Sequence, residues 1–138
     1  IKNNFLTNIV NLLKEKKSLE IIDDHYGLPT NVLDLSSILL KIINKIDNNS
    51  VKNNIFHFSN SGLPISWYQY ADYILDCLKN YENISSSIKP ISSKKYYKNN
   101  IRPSFSALDS NKIINLFDLN PIDWKVSVKK SIQMIYHK

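Results

Sequence analysis

Leu19-Glu20-Ile21-Ile22 runs directly into Asp23-Asp24-His25-Tyr26-Gly27-Leu28-Pro29-Thr30, and then into Asn31-Val32-Leu33-Asp34-Leu35. The apolar run predicts a short strand from Leu19 to Asp23, stopped by the acidic pair. Gly27 and Pro29 predict a turn. Asn31 has the short acceptor side chain of a helix N-cap, and Asp34 three residues on completes a box-like arrangement. Leu35, Ile38, Leu39, Ile42, Ile43 and Ile46 then give the helix a broad buried face. Strand, loop and helix in this order form the unit of an α/β fold.

The same grammar recurs on both sides. Phe5, Ile9, Leu12 and Leu13 predict an amphipathic helix over about residues 3–17. Asp47 to Asn54 reads as a polar loop. Ile55 to Phe58 reads as a strand covered on both faces, with His57 a satisfied core histidine. Ser66-x-x-Gln69 is a capping box opening a helix from Trp67 to Lys79. Ile88 to Ile91 reads as a strand, Ser92 to Asn100 as a long basic and aromatic loop, and Phe105 to Leu108 as a short strand. Asp109 or Ser110 caps a helix through Leu116. Pro121 starts a last helix, in which Trp124, Val128, Ile132 and Ile135 share a face. Strands separated by helices imply parallel pairing, and residues 1–138 read as one unit. So few short strands make a poor sheet alone, which points to a part of something larger and predicts a chain that exposes apolar surface and folds poorly without its complement.

Composition narrows the function. The 138 residues are 43% hydrophobic, as a globular chain is, and include only two glycines, Gly27 and Gly62. A Gly-x-Gly-x-x-Gly dinucleotide loop and a Gly-rich phosphate loop are therefore excluded from this sequence. The net charge of +6 comes from 18 basic and 12 acidic residues scattered along the chain. They do not form the clustered stripe of a nucleic-acid footprint. Lys41 and Lys45 interrupt the best apolar stretch, so no membrane span is expected. The lone Cys77, at an apolar helical position, cannot form an internal disulfide and fits a reducing cytoplasm. The chain opens on Ile1 and enters a helical pattern almost at once, which reads as an excised or incomplete N-terminus.

Asp23 and Asp24 are adjacent, and neighbouring strand residues point to opposite faces, so they make a poor acid/base pair. With His25 they would be three consecutive ligands, which rarely converge on one metal ion. His25 and Tyr26 have equal claims to face a cleft or to be structural. Gly27 and Pro29 lie in the loop after a strand, where α/β folds place ligand contacts, or else serve a tight turn, while Thr30 and Asn31 read as caps. Arg102, restrained to an extended backbone by Pro103, offers the five-donor fork that suits phosphate. It could equally bridge a carboxylate such as Asp24, or be solvated. Lys94, Lys95, Tyr96, Tyr97 and Lys98 interleave charge with aromatic rings, the composition of a base-stacking loop, a lid over an anionic ligand or an exposed loop without one.

Asp24-x-x-Gly27-x-Pro29-Thr30 and Arg102-Pro103-x-x-Ser106-x-Leu108-Asp109, with Phe56-His57-Phe58-Ser59-Asn60-Ser61-Gly62 and Ser66-Trp67-Tyr68-Gln69 between them, resemble the C-terminal half of dTDP-4-dehydrorhamnose reductase. That family is an extended short-chain dehydrogenase/reductase with a Rossmann-type α/β fold. The start Asn3-Asn4-Phe5 is similar to its helix just past the catalytic region, and Trp67 and Trp124 fit its aromatic positions. Where the family has Asp-Gln, this chain has Asp24-His25. The resemblance implies a hydride from NADPH or NADH delivered to the keto carbon of dTDP-4-dehydro-L-rhamnose. Its Tyr-x-x-x-Lys pair and cofactor loop have no counterpart here. No catalytic or cofactor-binding residue is therefore named, and the cofactor would be held by an N-terminal half absent from this sequence. The substrate side would be formed by Arg102, His25, Tyr26, Gly27 and Pro29. The implied partners are a dTDP-sugar, that N-terminal half and, as a compatible assembly, a second copy in a homodimer. The alternatives are another sugar-nucleotide epimerase, dehydratase or reductase of the superfamily, and a non-catalytic relative such as the regulatory beta subunit of methionine adenosyltransferase.

Overall fold

A computed structural model of the protein describes residues 4–46, 54–96 and 102–137. Helix α1 (Phe5–Glu15) is opened by an Asn4–Thr7 capping box and buries Ile9, Val10 and Leu13. It leads into strand β1 (Ser18–Ile22), then the two-residue strand β2 (Tyr26–Gly27) and helix α2 (Val32–Ile43). A non-helical stretch precedes β3 (Ile65–Ser66), which runs directly into α3 (Trp67–Leu78). Strand β4 (Ser87–Ile91), the single turn α4 (Ser93–Tyr96), α5 (Asn111–Phe117) and α6 (Trp124–Tyr136) complete the order.

β1 and β4 pair in parallel from Ser18 opposite Ser87 to Ile22 opposite Ile91. Pro90 cannot donate to a ladder, and it is tolerated because β4 has a neighbour among the described strands on one side only. β2 and β3 pair antiparallel, Tyr26 with Ser66 and Gly27 with Ile65. The main core lies among α1, α3, α6 and the β1–β4 pair, centred on Leu13, Ile74, Leu78 and Ile132. A second cluster joins Ile38 and Ile42 of α2 to Ile113 and Phe117 of α5 and to Leu119.

A buried polar knot ties the two clusters. Asn60 donates through its carboxamide nitrogen to the Asp34 carboxylate at 2.6 Å and to the Ile122 carbonyl at 2.9 Å. Its side-chain oxygen accepts from the Asn31 backbone N–H at 2.8 Å. Ser127 of α6 donates to the same Asp34 carboxylate. Asn31 caps α2 as expected, but Asp34 does not reach back to complete a box, because Asn60 and Ser127 hold it instead.

Four expectations need correction. Residues 55–58 are not a strand. No strand lies beside them among the described residues, so Phe56 and Phe58 anchor the segment to the α2–α5 cluster by side-chain packing, Phe56 edge-on to Phe117 at 5.8 Å. The next backbone N–H, that of Ser59, donates to Ser110 Oγ rather than to a ladder. His57 is exposed, not core. Residues 105–108 contribute a single parallel bridge, Phe105 to Tyr26. The last helix begins at Trp124 on an Asp123 cap, three residues after Pro121. Much of the expected loop at 47–54, and Tyr97 to Asn100 of the basic aromatic segment, lie outside the described residues.

Candidate functional site

The segment 23–29 is a hub whose backbone and side chains pin three other pieces of chain. Ser66, the fully buried N-cap of α3, accepts from Gln69 N–H in the expected capping box and donates its hydroxyl to the Asp23 carboxylate. The Trp67 N–H reaches the His25 carbonyl at 3.3 Å. On the other side, Tyr26 N–H donates to the Ser104 carbonyl at 2.7 Å, and Ser106 N–H returns to the Tyr26 carbonyl at 2.9 Å. The two halves of the sequence's distinctive motif pair, 24–30 and 102–109, therefore meet backbone to backbone.

Asp24 points away from Asp23, as alternation along an extended chain requires. Its carboxylate accepts from Ser92 Oγ at 2.8 Å, Ser93 N–H at 2.9 Å and Ser93 Oγ at 3.1 Å. Desolvation by itself would raise this carboxyl, but the hydrogen bonds from Ser92 and Ser93 outweigh it and hold Asp24 below the usual aspartate value.

Between these pieces lies a cavity of about 130 Å³, lined by Gly27, Leu28, Pro29, Ile65, Ser66, Trp67, Tyr70 and Ser106. Trp67 and Tyr70 of this lining are backed by an aromatic ladder: Phe5 sits 4.8 Å from Trp67 and stacks on Tyr70 at 5.2 Å, and Tyr70 meets Trp124 edge-on at 5.9 Å. Burial pushes the Tyr70 phenol up to about 12, so it stays protonated and able to donate. Gly27, Leu28, Pro29, Ile65, Ser66 and Ser106 complete the lining. Gly27 does not take the left-handed conformation of a tight turn. It is small because Ser106 Oγ would stand 3.2 Å from any Cβ placed there.

The structure places Gly27 and Pro29 in the lining and Tyr26 exposed beside it. His25 is buried and lies outside the lining. Arg102 is exposed, two residues before the Ser104 that pairs with Tyr26. Trp67, Tyr70, Ile65 and Ser106 line the cavity without having been singled out as ligand contacts. The signal was present in Ser66-Trp67-Tyr68-Gln69-Tyr70, where a capping box sets Trp67 and Tyr70 one turn apart on one helix face. Among the described residues no group of His, Cys, Asp or Glu could hold a metal ion. No helix among them is long and apolar enough to cross a membrane.

The sequence profile of the RmlD substrate binding domain matches residues 1–137. The chain belongs to that family. A dTDP-4-dehydrorhamnose reductase from Aggregatibacter actinomycetemcomitans is 35% identical to this RmlD substrate-binding chain over 132 residues, covering 92% of it and 44% of the relative. The spore coat polysaccharide biosynthesis protein SpsK of Bacillus subtilis is 27% identical over 131 residues, covering 95% of this chain and 42% of its own length. A crystal structure of a dTDP-4-dehydrorhamnose reductase from Clostridium acetobutylicum superposes with a TM-score of 0.82 at 27% identity, over 97% of this chain and 44% of that one. The Bacillus anthracis reductase, solved in complex with NADP, superposes at 0.74 with 26% identity, over 94% of this chain and 42% of that one. The α/β fold is thus that of the reductases, and the RmlD substrate-binding chain spans less than half the length of the relatives it matches.

The two glycines of this chain do not form a dinucleotide phosphate loop. Gly27 is taken up by β2 against Ser106, and Gly62 is wedged against Trp124. No glycine remains to open a phosphate loop at a helix N-terminus.

Proposed function

We propose that this chain forms the sugar-nucleotide side of a dTDP-4-dehydrorhamnose reductase, which reduces dTDP-4-dehydro-L-rhamnose to dTDP-L-rhamnose in the cytoplasm. The observation that carries the reading is the backbone junction of Tyr26–Gly27 with Ser104–Ser106, which brings a small apolar-walled cavity and the Arg102 segment together. In this reading the cavity takes a ring of the sugar nucleotide. The guanidinium of Arg102 faces the diphosphate, for which its planar fork is suited. Tyr70 supplies a hydroxyl donor, Ser106 Oγ, whose hydrogen goes to the Tyr26 carbonyl, offers an acceptor, and Trp67 shields the ring from water. The nicotinamide, and the groups that deliver hydride and proton, belong to a part of the enzyme outside this chain, and no residue here is assigned to those steps.

The test is reconstitution. Purified chain mixed with NADPH and dTDP-4-dehydro-L-rhamnose is expected to leave nicotinamide absorbance unchanged. Addition of the N-terminal portion of a dTDP-4-dehydrorhamnose reductase is expected to start turnover. Turnover by the chain alone, or none with the complement, overturns the reading.

A further inference from the structure

Trp67 is fixed through its backbone, while its indole has a single ring neighbour among the described residues. Its N–H reaches the His25 carbonyl at 3.3 Å. Ser66, the residue before it, is fully buried, closes a capping box with Gln69 and donates its hydroxyl to Asp23. The indole lines the cavity and stays 41% exposed. The ring against it is Phe5, 4.8 Å away and tilted by 45°. Tyr70, the other aromatic of the lining, is held twice, stacked on Phe5 at 5.2 Å and edge-on to Trp124 at 5.9 Å. Phe5 stands behind both rings and outside the lining. It is the first residue of α1, an end fixed by the Asn4–Thr7 capping box. Ile9, Val10 and Leu13 of the same helix share one core with Ala71, Ile74 and Leu78 of α3. Two packed helices thus bring the Phe5 and Trp67 rings together at their first turns.

We infer that Phe5 is a positioning residue for ligand binding: without touching the ligand, its ring holds the Trp67 indole in place as a wall of the cavity. The inference rests on the reading of this cavity as the sugar-nucleotide site. Filling space does not account for the residue. A leucine would occupy the same apolar volume, but it lacks the flat face that lies within 14° of the Tyr70 plane and the ring edge offered to Trp67. A half-exposed tryptophan without such a neighbour has several staggered rotamers open to it. A ligand that needs one of them binds more weakly in proportion to the time the indole spends elsewhere. Binding sites depend in this way on side chains behind the lining that lock its rotamers.

Acrylamide quenching of tryptophan emission reads the indole directly, because Trp124 is 4% exposed and Trp67 carries the accessible signal. In the ligand-free chain Phe5→Leu is expected to raise quenching, and Phe5→Tyr, which keeps the ring, to leave it at the parent value. In a titration with dTDP-L-rhamnose Phe5→Leu is expected to weaken binding by roughly two- to tenfold, the worth of an aromatic contact, and Phe5→Tyr to restore it. A residue that only fills the core would lower the melting temperature of Phe5→Leu and move neither readout. Should Phe5→Leu fail to fold, the Phe5 ring resonances of the parent decide: they are expected to shift along the same saturation curve as the Trp67 emission, and resonances that stay still overturn the proposal. A parent that shows no saturable binding overturns the sugar-nucleotide reading and the affinity claim with it. Unchanged quenching and affinity in Phe5→Leu, beside a parent that binds, overturn the role of Phe5 alone.

Discussion

The Asp24 carboxylate receives the backbone N–H of Ser93 at 2.9 Å, across 69 residues of sequence, and so fixes where the chain turns after β4. Its neighbour Asp23 is held by Ser66 on the other side of the same strand end. Two adjacent carboxylates thus orient two different segments around the cavity, each by accepting hydrogen bonds.

Asp24 makes stability depend on pH in a stated direction. Its folded pKa lies below the ordinary aspartate value of 3.8. The contribution is therefore complete above that value and is lost as pH falls through the lowered folded pKa. Melting curves of the parent are expected to lose stability in that acid window. Asp24→Asn should be less stable at neutral pH and lose less on acidification. Parallel acid limbs for the two proteins would mean that Asp24 is not held as described.

Asn60→Ala should cost about 2–3 kcal/mol, because it leaves the part-buried Asn31 N–H without its partner, the Ile122 carbonyl with only the Ser61 N–H, and Asp34 with only Ser127. Urea unfolding of the two proteins reads this directly. A loss under about 0.5 kcal/mol, the range of surface changes away from special features, would show that the knot does not tie α2 to α6.

The two glycines should respond differently. Gly62 sits at a φ of 122°, and an added Cβ would come within 2.6 Å of Trp124 Cδ1. Gly62→Ala is expected to cost at least ~1–3 kcal/mol of backbone strain and to disturb Trp124. Gly27→Ala has no such strain and meets only Ser106 Oγ, which can shift, since Ser106 N–H keeps the bond to Tyr26. It is expected to narrow the cavity with little loss of melting temperature. Equal destabilisation at both positions would contradict the assignment.

Arg102→Ala should weaken binding of a dTDP-sugar by roughly ten- to hundredfold, the ~1.5–3 kcal/mol of a charge-assisted contact. Arg102→Lys should recover only part, for want of the fork. Calorimetric titration measures both. Unchanged affinity in Arg102→Ala would make this side chain structural or solvated.

What could be read from the sequence was whatever local chemistry decides. Ser66 and Gln69 form their box because both partners lie within one turn, and Asn31 caps α2 for the same reason. The β1 and β4 strands follow from short apolar runs with partners available. Ile55 to Phe58 has the same local composition, but a strand needs a neighbour, and here the phenylalanines find a helical cluster instead. Gly27 looked like a turn residue because glycine is commonest in turns. Its actual constraint, Ser106, lies 79 residues away and leaves no local trace. The cavity was half legible: Gly27 and Pro29 stood out as loop residues after a strand, whereas Trp67 and Tyr70 read as an ordinary core face until the fold stacked Phe5 against them.

Tryptophan fluorescence during a titration with dTDP-L-rhamnose tests the central claim most directly, because the two tryptophans report different places. Trp67 lines the cavity and is 41% exposed, while Trp124 is 4% exposed in the core. A saturable change that disappears in Trp67→Phe, persists in a variant lacking only the Trp124 signal, and shifts to higher ligand concentration in Arg102→Ala is the expected result. No saturable change at Trp67, or one indifferent to Arg102, would contradict a sugar-nucleotide site built from these segments.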